Sequence, residues 1–143
     1  MQYPVFTDNL TVFGDGTEEH PLTTATIPGV VPPTDLIFGF EGVGSNTQIV
    51  VAPRLGFGIK FLALAAASWA TASANATADT TYTLSQNGVP FATIKFPAGQ
   101  KEGAFTQAAD VTFVPGDKLQ CDGPAVADVT LEDVWITFEG TRT

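Results

Sequence analysis

The 143-residue chain is poor in the residues on which many reactive sites depend. It has one cysteine, Cys121, and one histidine, His20. A single cysteine excludes an internal disulfide and a CxxC zinc site, so the fold must hold by packing. His20 is the only histidine that could act as the base of a nucleophile–base pair. No GxSxG, HExxH or GxxxxGK[ST] motif occurs. We therefore expect no catalytic residues, no cofactor and no metal.

Positive charge is also scarce. The chain has six Lys and Arg against fifteen Asp and Glu, which gives a net charge of −9. The six cations are scattered singly along the sequence. No basic stripe exists to neutralise phosphates, so nucleic acid and anionic membranes are not expected partners. The N-terminus lacks the basic start and apolar run of a signal peptide, and the most apolar stretch, residues 57–70, contains Lys60. The sequence predicts synthesis in a cytoplasm.

What the chain does have is strand and turn chemistry. Fourteen Gly and ten Pro separate short segments rich in β-branched and aromatic residues, which is typical of an all-β domain. Two triplets alternate with the period of a half-buried strand: Leu36, Phe38 and Phe40, and Val134, Ile136 and Phe138. A helix over the Ala-rich residues 63–79 is the alternative there. We predict strands at residues 10–13, 34–42, 47–53, 58–68, 80–86, 91–97, 103–108, 117–123 and 132–140.

The clearest hairpin covers residues 81–96. A two-residue Asn87-Gly88 turn would split the apolar residues between two faces. A three-residue loop that begins at Gln86 keeps them on one face, and we favour it. It directs Phe91 outward, where it is a candidate interface residue. The face predicted to be buried consists of Tyr82, Leu84, Ala92, Ile94 and Phe96.

Residues 1–33 differ from the rest of the chain. They contain five prolines and few alternating runs, so we predict an extended N-terminal arm with one short strand, followed by a β-sandwich domain over residues 34–143. Such arms gain stability by lying on a neighbouring subunit. The candidate docking residues of the arm are its apolar ones: Phe6, Leu10, Val12, Phe13 and Leu22.

The stretch GDGTEEHPL, residues 14–22, combines three carboxylates with His20 and could suggest a metal or acid–base site. Glycines around an aspartate permit a tight reversal after the predicted strand at 10–13, and Pro21 restarts an extended path. We interpret the stretch as a solvated turn and hinge of the arm. Adjacent residues of a strand point to opposite faces, which is poor geometry for shared acid–base chemistry. We therefore interpret the pairs Glu18-Glu19 and Glu132-Asp133 as solvated surface.

The aromatic and sulfur-containing side chains have plain interpretations. Trp135 alternates with polar residues in the last predicted strand, so it is a candidate interface residue. Stacking on sugar is the functional alternative for this side chain. Trp69, among alanines, is predicted to be core, and Cys121 a small buried hydrophobe.

Two regions resemble known sequences. GDGTEEHPL resembles the G-D-G-T-x-x-x-P-L segment common in structural proteins of tailed bacteriophages and prophages. Residues 70–142 resemble β-sandwich domains of phage fibres, spikes and head-surface proteins. Their pattern is a series of turn motifs in a fixed order. Here these are Asn87-Gly88, Ala98-Gly99, Pro115-Gly116-Asp117, Leu131-Glu132-Asp133-Val134 and Gly140-Thr141-Arg142.

The resemblance implies a virion component with a single jelly-roll-like antiparallel β-sandwich, assembled as a homotrimer. It transfers no catalytic residues. The expected function is a non-enzymatic structural protein of the particle surface, either a capsid decoration or spike protein or a small tail-fibre subunit. The expected partners are the major capsid protein or other virion proteins. The alternative is a module that binds host-surface carbohydrate through Trp135 and nearby acids.

Overall fold

A computed structural model describes residues 5–7, 10–13, 23–26, 33–44, 49–51 and 53–143, and it describes the side chains of residues 34–44 and 53–143. The chain divides into two compact units, residues 1–32 and 33–143. Thirteen strands and no helix occur among the described residues, and their pairs are antiparallel. The all-β antiparallel prediction is confirmed, and the helix considered for residues 63–79 is wrong.

The first unit contains a three-stranded antiparallel sheet. Strand β1 (Val5–Thr7) pairs with β2 (Leu10–Phe13), and β2 pairs with β3 (Thr23–Thr26). The strand predicted at residues 10–13 is confirmed, whereas β1 and β3 were not predicted because neither carries a long enough alternation. GDGTEEHPL lies outside the described residues, so its interpretation as a hinge stays a prediction.

The second unit contains ten strands. Each of the eight strands predicted from residue 34 onwards has a counterpart, with small shifts at the ends. The long strand predicted at 58–68 is cut to three residues, and the strands at Trp69–Thr71 and Val111–Phe113 were not predicted. The bounds are β4 (Pro33–Val43), β5 (Ile49–Val51), β6 (Ile59–Phe61), β7 (Trp69–Thr71), β8 (Thr80–Gln86), β9 (Val89–Phe96), β10 (Glu102–Gln107), β11 (Val111–Phe113), β12 (Leu119–Asp122) and β13 (Glu132–Arg142).

The first sheet of this unit is organised around β13. On one side β13 pairs with β4 over almost its whole length, from Glu132 opposite Val43 to Thr141 opposite Pro33. On its other side β13 pairs with β7 and then with β6, and β11 adds beyond β6. A β-bulge between Glu132 and Val134 begins the long β13–β4 ladder. Strand β13 is therefore the central strand of this sheet.

The second sheet runs in the order β10-β9-β8-β12-β5, and β10 belongs to both sheets. Glu102 and Gly103 pair with β7 of the first sheet, whereas the residues from Ala104 to Gln107 pair with β9 of the second. A strand that changes partner in this way forms a corner between two packed sheets. The sandwich-like part of the prediction is confirmed, and the jelly-roll connectivity stays a prediction.

Aromatic side chains from both sheets fill the space between them. Phe138 of β13 stacks on Phe61 with ring centres 4.0 Å apart. It also contacts Phe91 of β9 at 6.0 Å and Phe105 of β10 at 5.4 Å. These contacts join strands of the two sheets across the core, and buried aromatic pairs of this kind add to the free energy gained by burial.

The hairpin between β8 and β9 differs from the predicted one. Its loop has two residues, Asn87 and Gly88, both with positive φ (50° and 88°), as a type I′ turn requires. The register shifts where Leu84 pairs with Ala92 and Ser85 pairs with Pro90. The extra residue of this bulge is Phe91. The predicted three-residue loop is therefore wrong. The bulge at Phe91 allows the shorter loop to keep the apolar side chains on a single buried face.

The face predicted for this hairpin is correct, although the loop was not. The outward direction predicted for Phe91 is wrong, since its half-buried ring lies 5.7 Å from that of Phe113 and packs on the core. The residues predicted to be inside are all buried: Tyr82, Leu84, Ala92, Ile94 and Phe96.

The hairpin turn gives a direct test of this register. Gly88→Ala should lower the free energy of unfolding by about 1 kcal/mol, because alanine is disfavoured at positive φ. Gly56→Ala is the matched control: Gly56 is exposed, open around its Cα and without positive φ, so a change within about 0.5 kcal/mol is expected. Urea unfolding measures both. Equal effects of the two substitutions would contradict the I′ turn.

Candidate functional site

Two tryptophans lie on the outer face of the first sheet. In β13 the buried residues Val134, Ile136 and Phe138 alternate with Trp135, which is 52% exposed. In β7 the buried Ala70 follows Trp69, which is 63% exposed. The exposed position predicted for Trp135 is therefore confirmed. The core position predicted for Trp69 is wrong.

Strand register brings these side chains together with an exposed isoleucine. Trp135 pairs with Gly39 of β4 on one side and with Thr71 of β7 on the other. In the next row Thr137 pairs with Ile37, which is 66% exposed, and with Trp69. The two indoles thus occupy diagonal positions on neighbouring strands, within reach of one ligand. We call this surface the tryptophan face: Ile37, Gly39, Trp69, Thr71, Trp135 and Thr137.

The indole of Trp135 lies over Gly39. A Cβ atom at this glycine would be 2.7 Å from Cε3 of Trp135 and 3.0 Å from Cδ2, closer than van der Waals contact permits. Glycine in the middle of a strand weakens it and often marks a close approach. The absence of a side chain at Gly39 allows the indole to lie on the sheet with its outer side towards solvent.

The tryptophan face is bordered by carboxylates. Glu102 pairs with Thr71 beside Trp135, and Glu139 pairs with Asp35 one row beyond Thr137. Glu41 follows Gly39 on the same side of β4 by strand alternation and is exposed. The surface around the two indoles is therefore negative.

The strands of this sheet carry only two cations, and both have a partner. Lys60 Nζ lies 2.8 Å from Oδ2 of Asp110. The guanidinium of Arg142 lies 5.0 Å from the centre of the Phe57 ring, at the end of β13. Neither is placed to offset the carboxylates around Trp135.

Other carboxylates are engaged within the fold. Asp128 is buried and accepts hydrogen bonds from the backbone N–H groups of Thr77, Ala78 and Thr130, at 2.6, 2.9 and 3.0 Å. The hydroxyls of Thr77 and Thr130 also donate to it, at 2.9 and 2.8 Å. These hydrogen bonds, led by the one from Ala78, hold the pKa of Asp128 well below its usual value of 3.8.

Asp117 has a similar role at the β8–β9 turn. It accepts hydrogen bonds from the side-chain amides of Asn87 and Gln86, both at 2.8 Å, and from the backbone N–H of Val114 at 3.0 Å. These bonds lower its pKa, that from Asn87 most. Asp117 and Asp128 therefore join loops together. Among the described residues no three His, Cys, Asp or Glu side chains are placed to hold a metal ion.

The remaining predicted residues fall in different places. Cys121 is buried, and burial raises the pKa of its thiol to about 12; the prediction of a small buried side chain is confirmed. Phe91 packs on the core, away from its predicted outward position. Phe6 lies in β1, and Leu10, Val12 and Phe13 lie in β2. Leu22 lies outside the described residues.

The sequence missed Trp69, Ile37 and Gly39 as parts of one site with Trp135. The WAT segment of β7 is too short to show alternation. Only the register of three strands brings these residues together.

The comparisons with known proteins add no family. No protein-family model matches the chain, and no curated protein compared with it matches either. Across the residues that the structure describes, no helix is long and apolar enough to span a membrane.

The hydrogen bonds of Asp128 predict how stability depends on pH. Its pKa is lowered in the folded chain, so the unfolded chain takes up this proton first. The stabilising contribution is present at neutral pH and is lost as pH falls below about 4, through the range between the unfolded and the folded pKa. Asp128→Asn should be less stable at pH 7 and should lose less stability on acidification.

Urea unfolding at several pH values between neutral and strongly acidic conditions measures this difference. Asp35→Asn, which removes an exposed carboxylate of β4, is the control and should follow the unsubstituted protein closely. Parallel stability–pH curves for Asp128→Asn and the unsubstituted protein would contradict the role given to Asp128.

Proposed function

We propose that this protein is a non-enzymatic structural protein on the surface of a tailed-phage particle. It is a capsid decoration or spike protein or a small tail-fibre subunit, attached through its N-terminal unit. The observation that carries the proposal is the division of the chain into a small N-terminal unit, residues 1–32, and a larger sandwich-like unit, residues 33–143. One unit can dock on a particle while the other is displayed.

The turn motifs that resemble phage sandwich domains support this proposal. The glycines of three of them have positive φ: Gly88 at 88°, Gly99 at 79° and Gly116 at 95°. Glycine adopts this conformation without steric cost, so each motif suits the turn at which it stands. The last two motifs lie at the two ends of β13. The order of the motifs thus follows the order of the turns and strand ends.

The proposed partners are further copies of this chain, as a homotrimer, and the major capsid protein or other virion proteins. Strand β4 supports self-association. Among the described residues of the second unit, β4 pairs with β13 along one edge and with no strand along the other. A strand edge of eleven residues without a partner strand is a template for pairing with another chain.

Binding of host-surface carbohydrate is the second candidate function. The tryptophan face favours it, because exposed indoles beside carboxylates can stack on sugar rings and accept hydrogen bonds from their hydroxyls. Both functions would be exerted in the virion, after synthesis in the host cytoplasm.

Removal of the N-terminal unit tests the attachment. A chain of residues 33–143 should fold, because its core lies within that unit, but it should no longer co-purify with phage particles. Circular dichroism checks folding, and sedimentation with particles from a lysate of the producing strain measures attachment. Full attachment of the truncated chain would show that the N-terminal unit is not the docking element.

Light scattering of the complete chain tests self-association. We expect the mass of three chains at micromolar concentration. A stable monomer under those conditions would contradict the proposed trimer, and a stable dimer would replace it with a twofold assembly.

A further inference from the structure

We propose that the tryptophan face is a binding site for uncharged pyranose sugars, with Trp135 and Trp69 as the two stacking surfaces. This rests on the second candidate function and specifies its site and its ligand class. Trp69 was assigned to the core by the sequence, so the second stacking surface comes from the structure alone.

The geometry of Trp135 is the first support. Its indole lies on the backbone of Gly39, with Cε3 and Cδ2 within 3 Å of where a Cβ would be. One side of the ring is therefore packed, and the other faces solvent in a position fixed by the sheet. A ring held in this way loses little conformational entropy when a ligand stacks on it. The apolar C–H face of a pyranose matches such a surface.

The position of Trp69 is the second support. It lies on the strand next to Trp135, one pair of residues along the register. Diagonal positions of this kind are about 7–8 Å apart, a separation comparable to that of neighbouring rings in an oligosaccharide. Thr71 and Thr137 occupy the other two positions of these two rows. Their side chains are small and do not project beyond the indoles. The face can therefore hold two consecutive sugar units.

Charge selects among possible ligands. The surrounding acids Asp35, Glu41, Glu102 and Glu139 accept hydrogen bonds from hydroxyl groups, whereas they repel carboxylate, sulfate or phosphate groups. A second copy of this chain docked face to face would bring the same acids against one another. Lys60, on the same outer side of this sheet, is paired with Asp110 and so does little to relieve either repulsion. Neutral sugars therefore fit these charges better than acidic sugars do.

The test uses the complete chain with defined tetrasaccharides. Cellotetraose, maltotetraose and tetra-N-acetylchitotetraose are the neutral probes, and tetragalacturonate is the acidic one. Isothermal titration calorimetry measures binding. We expect at least one neutral probe to bind and tetragalacturonate to bind more weakly than that probe. Trp135→Ala and Trp69→Ala should each weaken binding at least about tenfold, as loss of a stacking tryptophan does.

Two variants serve as controls. Trp135→Phe retains a ring and should keep most of the affinity lost in Trp135→Ala. Val126→Ala removes an exposed apolar side chain of the loop between β12 and β13 and should bind like the unsubstituted protein. Both tryptophans are exposed, so their alanine variants should keep the circular dichroism spectrum of the fold.

Several results would overturn the proposal. It fails if no neutral probe binds at millimolar concentration, or if Trp135→Ala and Trp69→Ala bind as tightly as the unsubstituted protein. Tighter binding of tetragalacturonate would overturn the ligand class while leaving the candidate function of carbohydrate binding in place. Loss of self-association in Trp135→Ala, with no sugar binding by the unsubstituted protein, would show the face to be an interface between copies. None of these results bears on attachment through the N-terminal unit.

Discussion

The register of β13 between its two neighbours is the constraint on which both the core and the surface of the second unit depend. Side chains alternate along this strand, so the pairing that places Val134, Ile136 and Phe138 inside also places Trp135 outside. A shift by one residue would exchange the two sets. The interior and the tryptophan face are therefore specified together.

The bulge at the start of β13 helps to fix that register. Asp133 has a φ of 54° and Gly42 of β4 a φ of 74°, and the backbone N–H of Gly42 donates to Oδ1 of Asp133 at 2.8 Å. A bulge held by such a bond resists sliding of the two strands, because a displaced register would have to break it. Asp133 was interpreted from the sequence as part of a surface acidic pair. In the structure its carboxylate orders the beginning of the central strand.

The sequence predicts those parts of the fold in which a local pattern is complete. The alternation in β4, β8 and β13 is long enough to assign both the strand and its buried face. The hairpin loop was predicted with one residue too many, because the same buried face can arise from a longer loop or from a bulge at Phe91. Local sequence patterns do not determine which strands pair with one another. Glu102 and Gly103 pair with one sheet and the rest of β10 with the other, and nothing within β10 itself distinguishes the two halves.

The candidate site shows the same limit. Trp135 was predicted to be exposed from its own strand, whereas Trp69 was assigned to the core because its small neighbours resemble buried sequence. Its exposure follows from the pairing of Ala70 with Ile136, which turns Ala70 inward and Trp69 outward. Gly39 has meaning only opposite Trp135, where a side chain would displace the indole. Large exposed aromatic side chains and a glycine within a strand both cost stability or solubility. Their meeting in two adjacent rows of the sheet is explained if those rows form a surface for contact, as proposed above. The packing of the interior requires neither tryptophan.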